Sequence, residues 1–280
     1  MSMFTTDANK AFLPDDIGRL VEQPVQRESV AIQVAGSVTT GSTVFRVPIV
    51  TADPSAAWTD EGDEISASDA TLDEVNVQPL KLAGLTVISR ELADDSSPAA
   101  QELVGRGLAR DIARKLDSAY FAASTAKGPD GIASLADANE VEVEDGEWSN
   151  GDPFQEAVFA AEGVGARLAG FVANPTDALT LAQLKESDTS NRPLLQPDPT
   201  QPTRRMIAGV PLHVSPAVED GVVWGIPADL AYVVIRTGTR IDVDHSAYFA
   251  SDSIGVRAVM RVGFAFPHEE AVQKITLGNS

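Results

Sequence analysis

The residues best equipped for chemistry lie together in an acidic segment, WTDEGDEISASDATLDEVNV, at positions 58–77. This segment contains seven carboxylates and no lysine, arginine or histidine. Carboxylates at such close spacing could supply the general acid and general base of a hydrolase, or they could bind a cation. A solvated tether and a surface that contacts another protein are the other two interpretations. The seven acidic residues are Asp60, Glu61, Asp63, Glu64, Asp69, Asp73 and Glu74.

The composition argues against carboxylate catalysis in this segment. A glycosidase pair needs a desolvated carboxyl group beside aromatic sugar platforms, whereas aromatic residues make up only 6% of this chain. Crowded acidic residues usually face water and repel one another. We therefore expect no catalytic residue, and a carboxylate-dependent hydrolase that uses Glu61, Asp63 or Glu64 is a remote alternative.

Metal and nucleotide motifs are incomplete throughout the sequence. Its histidines lie in unrelated segments, and PHEEAV at 267–272 lacks the second histidine of a zinc-protease helix. DVDHSAYFASDS at 242–253 is like a calcium loop, but Ala247 replaces the glycine and Ser253 replaces the bidentate glutamate. GVGAR at 163–167 lacks the third glycine of a dinucleotide fingerprint. We expect no metal ion and no cofactor.

Charge and composition narrow the remaining classes of protein. The chain has 280 residues, no cysteine and a net charge of 21 − 41 = −20, so thiol chemistry is excluded and nucleic acid is repelled on average. The first residues lack the basic and apolar regions of a signal peptide. The longest apolar run, LAYVVI at 230–235, is too short to span a membrane. A soluble protein that does not bind DNA or RNA directly is expected.

The elements around the acidic segment determine what it can do. Residues 1–40 are polar with short apolar clusters, which predicts an extended arm. TVFRVPIV at 43–50 and KLAGLTVIS at 81–89 have the apolar patterns of strands, so the acidic segment lies between two strands, as in a long hairpin. The apolar residues Leu72, Val75 and Val77 begin a strand that we expect to continue into PLKLAGLTVIS.

A long amphipathic helix is predicted next in the chain. Ser97 is a suitable N-cap, Pro98 suits the first helical position, and AAQELVGRGLARDIARKLDSAYFAA follows at 99–123. This length corresponds to roughly seven turns. An apolar stripe at spacings of three and four comprises Leu108, Ile112, Leu116, Ala119, Tyr120 and Ala123.

Helices and strands alternate in the middle of the chain, and the last part is rich in strands. Helices are predicted from Asp152 and from Asn174, with the buried strand LAGFVA between them. Residues 186–205 hold four prolines and are predicted to form a long loop. SIGVRAVMRVGFAF is a long half-buried strand with Arg257 and Arg261 on its polar face.

Apolar residues within the acidic segment argue against a simple tether. Trp58, Ile65 and Leu72 interrupt the acids, and a linker has no need of them. An exposed arm that carries such side chains normally covers them against another surface. If that surface belongs to a neighbouring copy, the segment is an oligomer contact.

The motifs of the chain follow one another in a recognisable order over residues 56–275. The order begins with AAW, EG and I and continues through VQPLKLAGLTVISRELADDS into the long helix. After the helix come GPDGI, FVANPTDALTLAQLK, GVP and RAVMRVGFAFPHEEAVQKI. This order resembles the major capsid proteins of tailed bacteriophages, whose fold is named after phage Hong Kong 97. The matching residues around the hairpin are Trp58, Glu61, Gly62, Ile65, Lys81, Leu82, Ala83, Ser89, Glu91, Leu92 and Ser96.

The resemblance implies an α+β architecture, the capsid fold of the phage Hong Kong 97 type. Residues 1–45 would form the N-arm and residues 46–85 the E-loop hairpin. Residues 86–128 would form a peripheral domain with the long helix, which is called the spine helix. Residues 129–228 would form the axial α/β domain, and residues 229–280 would return to the peripheral domain as long β-strands.

The resemblance also implies assembly rather than catalysis. Members of the family pack as pentamers and hexamers into an icosahedral shell around a double-stranded DNA genome, which would be enclosed without specific binding. The implied partners are further copies of the chain, a portal protein and a separate scaffolding protein, with a decoration protein as an open option. The virion would be assembled in the host bacterial cytoplasm. An encapsulin-type bacterial compartment shares the fold and is the alternative.

The implied inter-subunit contact is the acidic segment itself, because in the family the E-loop of one subunit lies over the next. Arg106, Arg110 and Arg114 on the spine helix are its predicted cationic partners, within or across subunits. The type member links subunits covalently through an E-loop lysine, whereas residues 58–77 contain none and Lys81 lies at the hairpin base. A noncovalent contact is therefore expected. The predicted contact residues are Trp58, Asp60, Glu61, Asp63, Glu64, Ile65, Asp69 and Leu72.

Overall fold

The computed structural model describes residues 25, 28–52, 56, 58–59, 69, 71–89, 99–143, 146–185, 191, 193–197, 205–236, 240–244 and 246–278. Within these residues the chain forms one five-stranded sheet, one seven-stranded sheet and a separate two-stranded hairpin, together with helices that pack on the sheets. The mixed content of helix and sheet agrees with the predicted α+β class.

One long strand organises the five-stranded sheet. Strand β13, Ser253–Ala265, pairs along one edge with β4, Leu80–Ser89, in antiparallel register. On its other edge, β12 (Arg240–Asp244) pairs with the first half of β13, and β11 (Tyr232–Arg236) pairs with its last residues. Strand β1, Gly36–Thr40, adds to the sheet parallel to β11.

The side chains of β13 alternate between core and solvent as the sequence predicts. Ala258, Met260 and Val262 are buried, whereas Arg257, directly before Ala258, and Arg261, between Met260 and Val262, are exposed. Successive side chains of a strand point to opposite faces of the sheet. The prediction of a long half-buried strand is therefore confirmed.

The long helix α2, Ala99–Phe121, packs against the inner face of this sheet. Ile112, Leu116 and Tyr120, which belong to the predicted apolar stripe, are buried in the shared core. The helix has 23 residues, close to the predicted length. The amphipathic spacing was sufficient to locate it because the stripe repeats over several turns.

The structure differs from the predicted apolar stripe of α2 at two positions, Leu108 and Ala123. A Cβ atom on Gly84 of β4 would lie 2.6 Å from Cδ1 of Leu108, so glycine allows the helix and the strand to approach closely. Leu108 is half-buried, and Ala123 is exposed beyond the end of the helix. The predicted caps, Ser97 and Pro98, lie outside the described residues.

The segment before β1 is folded into the core rather than extended. Val30–Val34 form the short helix α1, in which Ala31 is fully buried, and Ser29 is its N-cap. The prediction of an extended arm over residues 1–40 is therefore wrong for residues 30–34, whereas Gly36–Thr40 form an extended strand that pairs with β11. α1 is short, and so few residues do not establish a clear hydrophobic period in the sequence.

The seven-stranded sheet is built mainly from the middle of the chain. Its strands are β5 (Asn139–Val143), β6 (Gly170–Ala173), β7 (Gln196–Pro197), β8 (Arg205–Ile207), β9 (Val210–Val214), β10 (Val222–Ile226) and β14 (Gln273–Leu277). They lie in the order β5-β14-β10-β6-β9-β8-β7. Helices α3, Asp152–Gly163, and α4, Pro175–Gln183, follow β5 and β6 in the chain, as predicted.

The two faces of the seven-stranded sheet contribute to different cores. Phe154 of α3 and Leu181 of α4 pack in one cluster with Phe171 of β6. Val172 and Trp224 point to the opposite face and belong to the cluster that also contains α1, α2 and the five-stranded sheet. A continuous apolar core therefore joins the two sheets.

The hairpin that carries the acidic segment differs from prediction in its second strand. Strand β2, Phe45–Ala52, pairs antiparallel with β3, Thr71–Val77. Gln78 and Pro79 separate β3 from β4, so the predicted continuous strand is wrong. Proline has no N–H for a strand ladder and often ends pairing. β4 pairs with β13 and belongs to the five-stranded sheet.

Strand β14 also departs from the predicted grouping of residues 229–280 with the long peripheral strands. It lies between β5 and β10 in the seven-stranded sheet. A side-chain hydrogen bond connects β5 to β14, because Nδ2 of Asn139 donates to Oε1 of Gln273 at 2.6 Å. Strand pairing over such a separation depends on tertiary packing and is not encoded in a local pattern.

Candidate functional site: the acidic hairpin and its anchorage

The hairpin is fixed to the five-stranded sheet at its base. Val77, at the end of β3, is buried in a small cluster with Val234 of β11 and Ala265 of β13. A Cβ atom on Gly263 would lie 2.5 Å from Cγ1 of Val77. Glycine is therefore required where the hairpin base crosses β13.

A polar contact connects the two strands of the hairpin. Nη1 of Arg46 lies 3.2 Å from Oε1 of Glu74, and the same carboxylate oxygen accepts a hydrogen bond from Nδ2 of Asn76 at 3.2 Å. Both charged side chains are exposed, and such a pair contributes less than about 1 kcal/mol. Glu74 thus has a partner within its own hairpin.

Toward the tip, the described side chains project into solvent. Trp58 is 104% exposed and Leu72 is 68% exposed, and Asp69 and Asp73 are exposed as well. Tryptophan is normally largely buried, because its ring contributes a large apolar area. The hairpin therefore presents apolar and acidic groups together. The other predicted contact residues, Asp60, Glu61, Asp63, Glu64 and Ile65, lie outside the described residues.

The candidate calcium loop contains a local turn at its start. Oδ1 of Asp244 accepts hydrogen bonds from the backbone N–H and the hydroxyl of Ser246, each at 2.7 Å. Within the described residues, no group of three or more His, Cys, Asp or Glu side chains could hold a metal ion. In the same part of the chain, no helix is long and apolar enough to cross a membrane.

The predicted cationic partners lie on the outer side of α2. Arg106, Arg110 and Arg114 are exposed, and their spacing of four places them along one side of the helix. Among the residues that the structure describes, Arg110 and Arg114 form no ion pair. Their contact with the acidic segment stays a prediction.

Asp117 anchors α1 to α2, a role that the sequence analysis misses. Its Oδ1 accepts hydrogen bonds from the Ser29 hydroxyl at 2.6 Å and from the Ala31 N–H at 3.1 Å. Its Oδ2 accepts from the Val30 N–H at 3.0 Å. A helix leaves the N–H groups of its first turn without internal partners. Asp117, on a helix far away in the sequence, supplies the acceptors for two of these N–H groups in α1.

The electrostatics of Asp117 follow from its burial. Burial raises the pKa of this carboxyl group above its ordinary value, and the three hydrogen bonds oppose that effect. The sequence indicates the burial of Asp117 only weakly, through its spacing on the helix: it lies three residues before the buried Tyr120 and four after the buried Ala113. A charged residue on an apolar stripe is normally paired, but the sequence does not identify Ser29 as the partner.

A second buried carboxylate, Asp177, joins loops to α4. Its Oδ1 accepts a hydrogen bond from Nε1 of Trp148 at 2.7 Å, and its Oδ2 accepts from the Gly221 N–H at 2.8 Å. Each oxygen thus has a donor, as buried polar groups require. Both buried carboxylates of the described chain, Asp117 and Asp177, therefore have structural partners.

The phage capsid family matches this chain over residues 10–277. The match includes the hairpin, α2 and both sheets. A comparison with curated proteins returns no match.

Solved capsid structures share this fold at low sequence identity. The structure described as "Capsid of native GTA particle computed with C5 symmetry" has a TM-score of 0.69 at 19% identity, covering 100% of this chain and 96% of that chain. A chain of Mycobacterium phage Bobi has a TM-score of 0.71 at 15% identity with the same coverages. A chain of Gordonia phage Cozz has a TM-score of 0.69 at 18% identity, covering 90% of this chain and 87% of that chain.

These likenesses confirm the predicted capsid fold. Neither the encapsulin-type compartment nor the hydrolase is favoured by the matches. The family match covers well over half of the chain, and every element of the site lies inside it. The chain belongs to the phage capsid family, as a major capsid protein that forms the shell.

Proposed function

We propose that this capsid subunit assembles through its acidic hairpin into pentamers and hexamers, which close an icosahedral shell around a double-stranded DNA genome. The observation that supports this most directly is the complete exposure of Trp58 on a hairpin whose base is packed against the sheet. An anchored base with an uncovered apolar tip suits a contact with a second molecule.

The energetics of such a shell favour many modest contacts. Burying one large apolar side chain stabilises a contact by roughly 2–3 kcal/mol. Symmetry repeats the same contact at every subunit, so the shell becomes stable although each contact alone is weak. The hairpin residues Trp58, Asp69 and Leu72 take part in this contact, together with the acids of the tip.

The remaining partners follow from the same proposal. A portal protein and a separate scaffolding protein serve assembly in the host bacterial cytoplasm, and a decoration protein is an additional option. A net charge of −20 is compatible with a shell wall that encloses DNA without binding it specifically. The exposed arginines of α2, Arg106, Arg110 and Arg114, are one candidate surface for the hairpin of a neighbour.

Removing the hairpin tip tests the proposal. Deletion of residues 59–74 is expected to leave a folded subunit that does not form closed shells, because the five-stranded sheet, the seven-stranded sheet and α2 contain none of these residues. Negative-stain electron microscopy and light scattering of particles from expressing cells measure shell formation, and circular dichroism measures folding. Normal shells from the deletion variant would contradict the assigned role of the hairpin. Failure of the full chain to form shells, with or without a scaffold, would contradict the proposal itself.

A further inference from the structure

The turn that leads into α3 contains the only asparagine–glycine pair of the sequence, Asn150–Gly151. Asn150 is exposed and Gly151 is half-buried, so water reaches the pair. The backbone nitrogen that follows an asparagine can attack the side-chain carbonyl carbon and displace the side-chain amide. Glycine has no Cβ atom and leaves that nitrogen unhindered. The pair therefore has the composition of a chemical modification site.

The structure prepares the side-chain carbonyl of Asn150 for this attack. Its Oδ1 accepts a hydrogen bond from the Asp152 N–H at 3.0 Å. A bond from an asparagine side chain to the backbone two residues on bends the side chain over the residue between them, which is Gly151. Negative charge develops on Oδ1 during the attack, and a donor already placed at that oxygen stabilises it.

The attacking nitrogen and the leaving nitrogen are both unengaged within the described part of the chain. Neither the Gly151 N–H nor Nδ2 of Asn150 donates a hydrogen bond there. Three other asparagines instead donate hydrogen bonds through their side-chain nitrogens: Asn76, Asn139 and Asn174. Free nitrogens at Asn150–Gly151 lower the barrier to reaction, because no existing hydrogen bond has to be broken first.

An aspartate–glycine pair elsewhere in the chain has the opposite arrangement. Such pairs undergo the same ring closure in principle, and Asp220–Gly221 is one of them. However, the Gly221 N–H donates to Oδ2 of the buried Asp177 at 2.8 Å. Its nitrogen is therefore held away from the attack that Gly151 is free to make.

We propose that Asn150–Gly151 is a site of spontaneous deamidation, at which Asn150 becomes aspartate or isoaspartate. The Gly151 nitrogen forms a bond to Cγ of Asn150, and the bond from Cγ to Nδ2 breaks. The proton of the Gly151 N–H leaves with the side-chain nitrogen as ammonia, and a succinimide ring remains. Water is the only further reactant. The modification is independent of the proposed assembly, so unassembled subunits also undergo it.

Water opens the succinimide ring in two ways. If the bond from Cγ to the Gly151 nitrogen breaks, the product is aspartate with a normal backbone. If the bond from the backbone carbonyl carbon of Asn150 to that nitrogen breaks, the product is isoaspartate, and the backbone then runs through the former side chain. The new acid ionises in either case and passes its proton to ammonia, so the chain gains a negative charge.

The two products affect α3 differently. Aspartate keeps an acceptor for the Asp152 N–H, and a negative charge before the first turn of a helix is favourable. Isoaspartate lengthens the backbone by a methylene group. The turn joins the buried rings of Trp148 and Phe154, whose centroids lie 5.7 Å apart. A longer turn therefore disturbs this aromatic contact.

Ageing of the full-length protein tests the site. The purified chain is kept in neutral buffer for several weeks and then cleaved after glutamate, which releases residues 148–156 with Asn150 as their only asparagine. Liquid chromatography with mass spectrometry separates the amide from aspartate and isoaspartate. Asn150 is expected to lose its amide about tenfold or more faster than Asn139 and Asn174. Equal or slower loss at Asn150 would overturn the proposal.

Gly151→Ala is the matched variant, because it changes the reaction without changing the fold. A Cβ atom at this position would meet nothing within 4 Å, and the φ of −97° suits alanine. The added Cβ hinders the attacking nitrogen, so amide loss is expected to slow about tenfold or more. Circular dichroism verifies folding. Equal rates in the variant and the natural chain, or amide loss only after unfolding in urea, would overturn the proposal.

Asn150→Asp tests the difference between the two products. Freshly prepared Asn150→Asp is expected to have the same urea midpoint as the fresh natural chain, since the acceptor at the start of α3 is kept. Aged natural chain that contains isoaspartate is expected to unfold at lower urea. A lower midpoint for fresh Asn150→Asp, or an unchanged midpoint for chain rich in isoaspartate, would overturn the inferred effect on α3.

Discussion

At the scale of single residues, the most informative side chain is the buried Asp117. It satisfies three donors at the start of α1, and so it holds the segment before β1 against α2. Nothing in the local sequence distinguishes it from exposed Asp111 on the same helix except its position beside the apolar stripe. The pairing with Ser29 was therefore beyond what sequence reasoning could supply, because it depends on how two distant helices pack.

Replacing Asp117 by alanine is expected to lower the unfolding free energy of the unassembled subunit by about 2–3 kcal/mol. The reason is that the Val30 and Ala31 N–H groups lose their acceptor in a buried position. Urea denaturation measures the loss. Asp111→Ala is the matched control, since Asp111 is exposed on the same helix, and its effect is expected to stay within about 0.5 kcal/mol. Equal effects of the two substitutions would contradict the anchoring role.

The raised pKa of Asp117 predicts a definite pH dependence. The folded protein holds this proton more tightly than the unfolded chain, so the residue favours folding most below its ordinary pKa of 3.8. Its contribution is lost as the pH rises through the higher pKa of the folded state. The stability of the natural chain relative to Asp117→Asn should therefore fall as the pH is raised from 3.8 toward neutrality. Urea denaturation of both proteins over this range checks the sign, and a rising difference would show a lowered pKa.

At the scale of elements, the sequence located those with strong local patterns. The helix α2 and the strand β13 repeat their periods over many residues, and both were predicted with nearly correct bounds. The short helix α1 and strand β1 have too few residues for such a signal. The sequence also does not predict which strands pair with each other, as the break at Pro79 and the position of β14 show. The hairpin itself was predicted, whereas its return strand β3 was wrongly joined to β4.

The contact between the hairpin base and β13 is expected to depend on the absence of a side chain at position 263. Gly263→Ala places a Cβ atom 2.5 Å from Cγ1 of Val77, and overpacking of this kind destabilises by roughly 1–3 kcal/mol. Thermal unfolding of the subunit measures the loss, and electron microscopy of the same variant measures the fall in shell yield.

Gly41 provides the control for the Gly263→Ala substitution. A Cβ atom on Gly41 would meet nothing within 4 Å, so Gly41→Ala is expected to fold and assemble normally. If Gly263→Ala were as stable and as competent in assembly as Gly41→Ala, the hairpin base would not need its close approach to the sheet.

At the scale of the whole molecule, the shell subunit is expected to be held by noncovalent contacts. Residues 58–77 contain no lysine that could form an isopeptide bond at the tip. Particles dissolved in denaturant and run on a denaturing gel should therefore give one band near 29.5 kDa. A ladder of multimers without added crosslinker would contradict this expectation and would point to a lysine outside the tip.

The position of β14 has a consequence for the order in which the chain can fold. Strand β5 pairs with β14, and the contact between Asn139 and Gln273 joins residues 134 positions apart. β4 similarly pairs with β13, and β1 pairs with β11. Each sheet thus needs strands that the ribosome makes late, and such long-range pairing is slow. An incomplete chain cannot close either sheet, so translation itself delays the appearance of a subunit that is competent to join a shell.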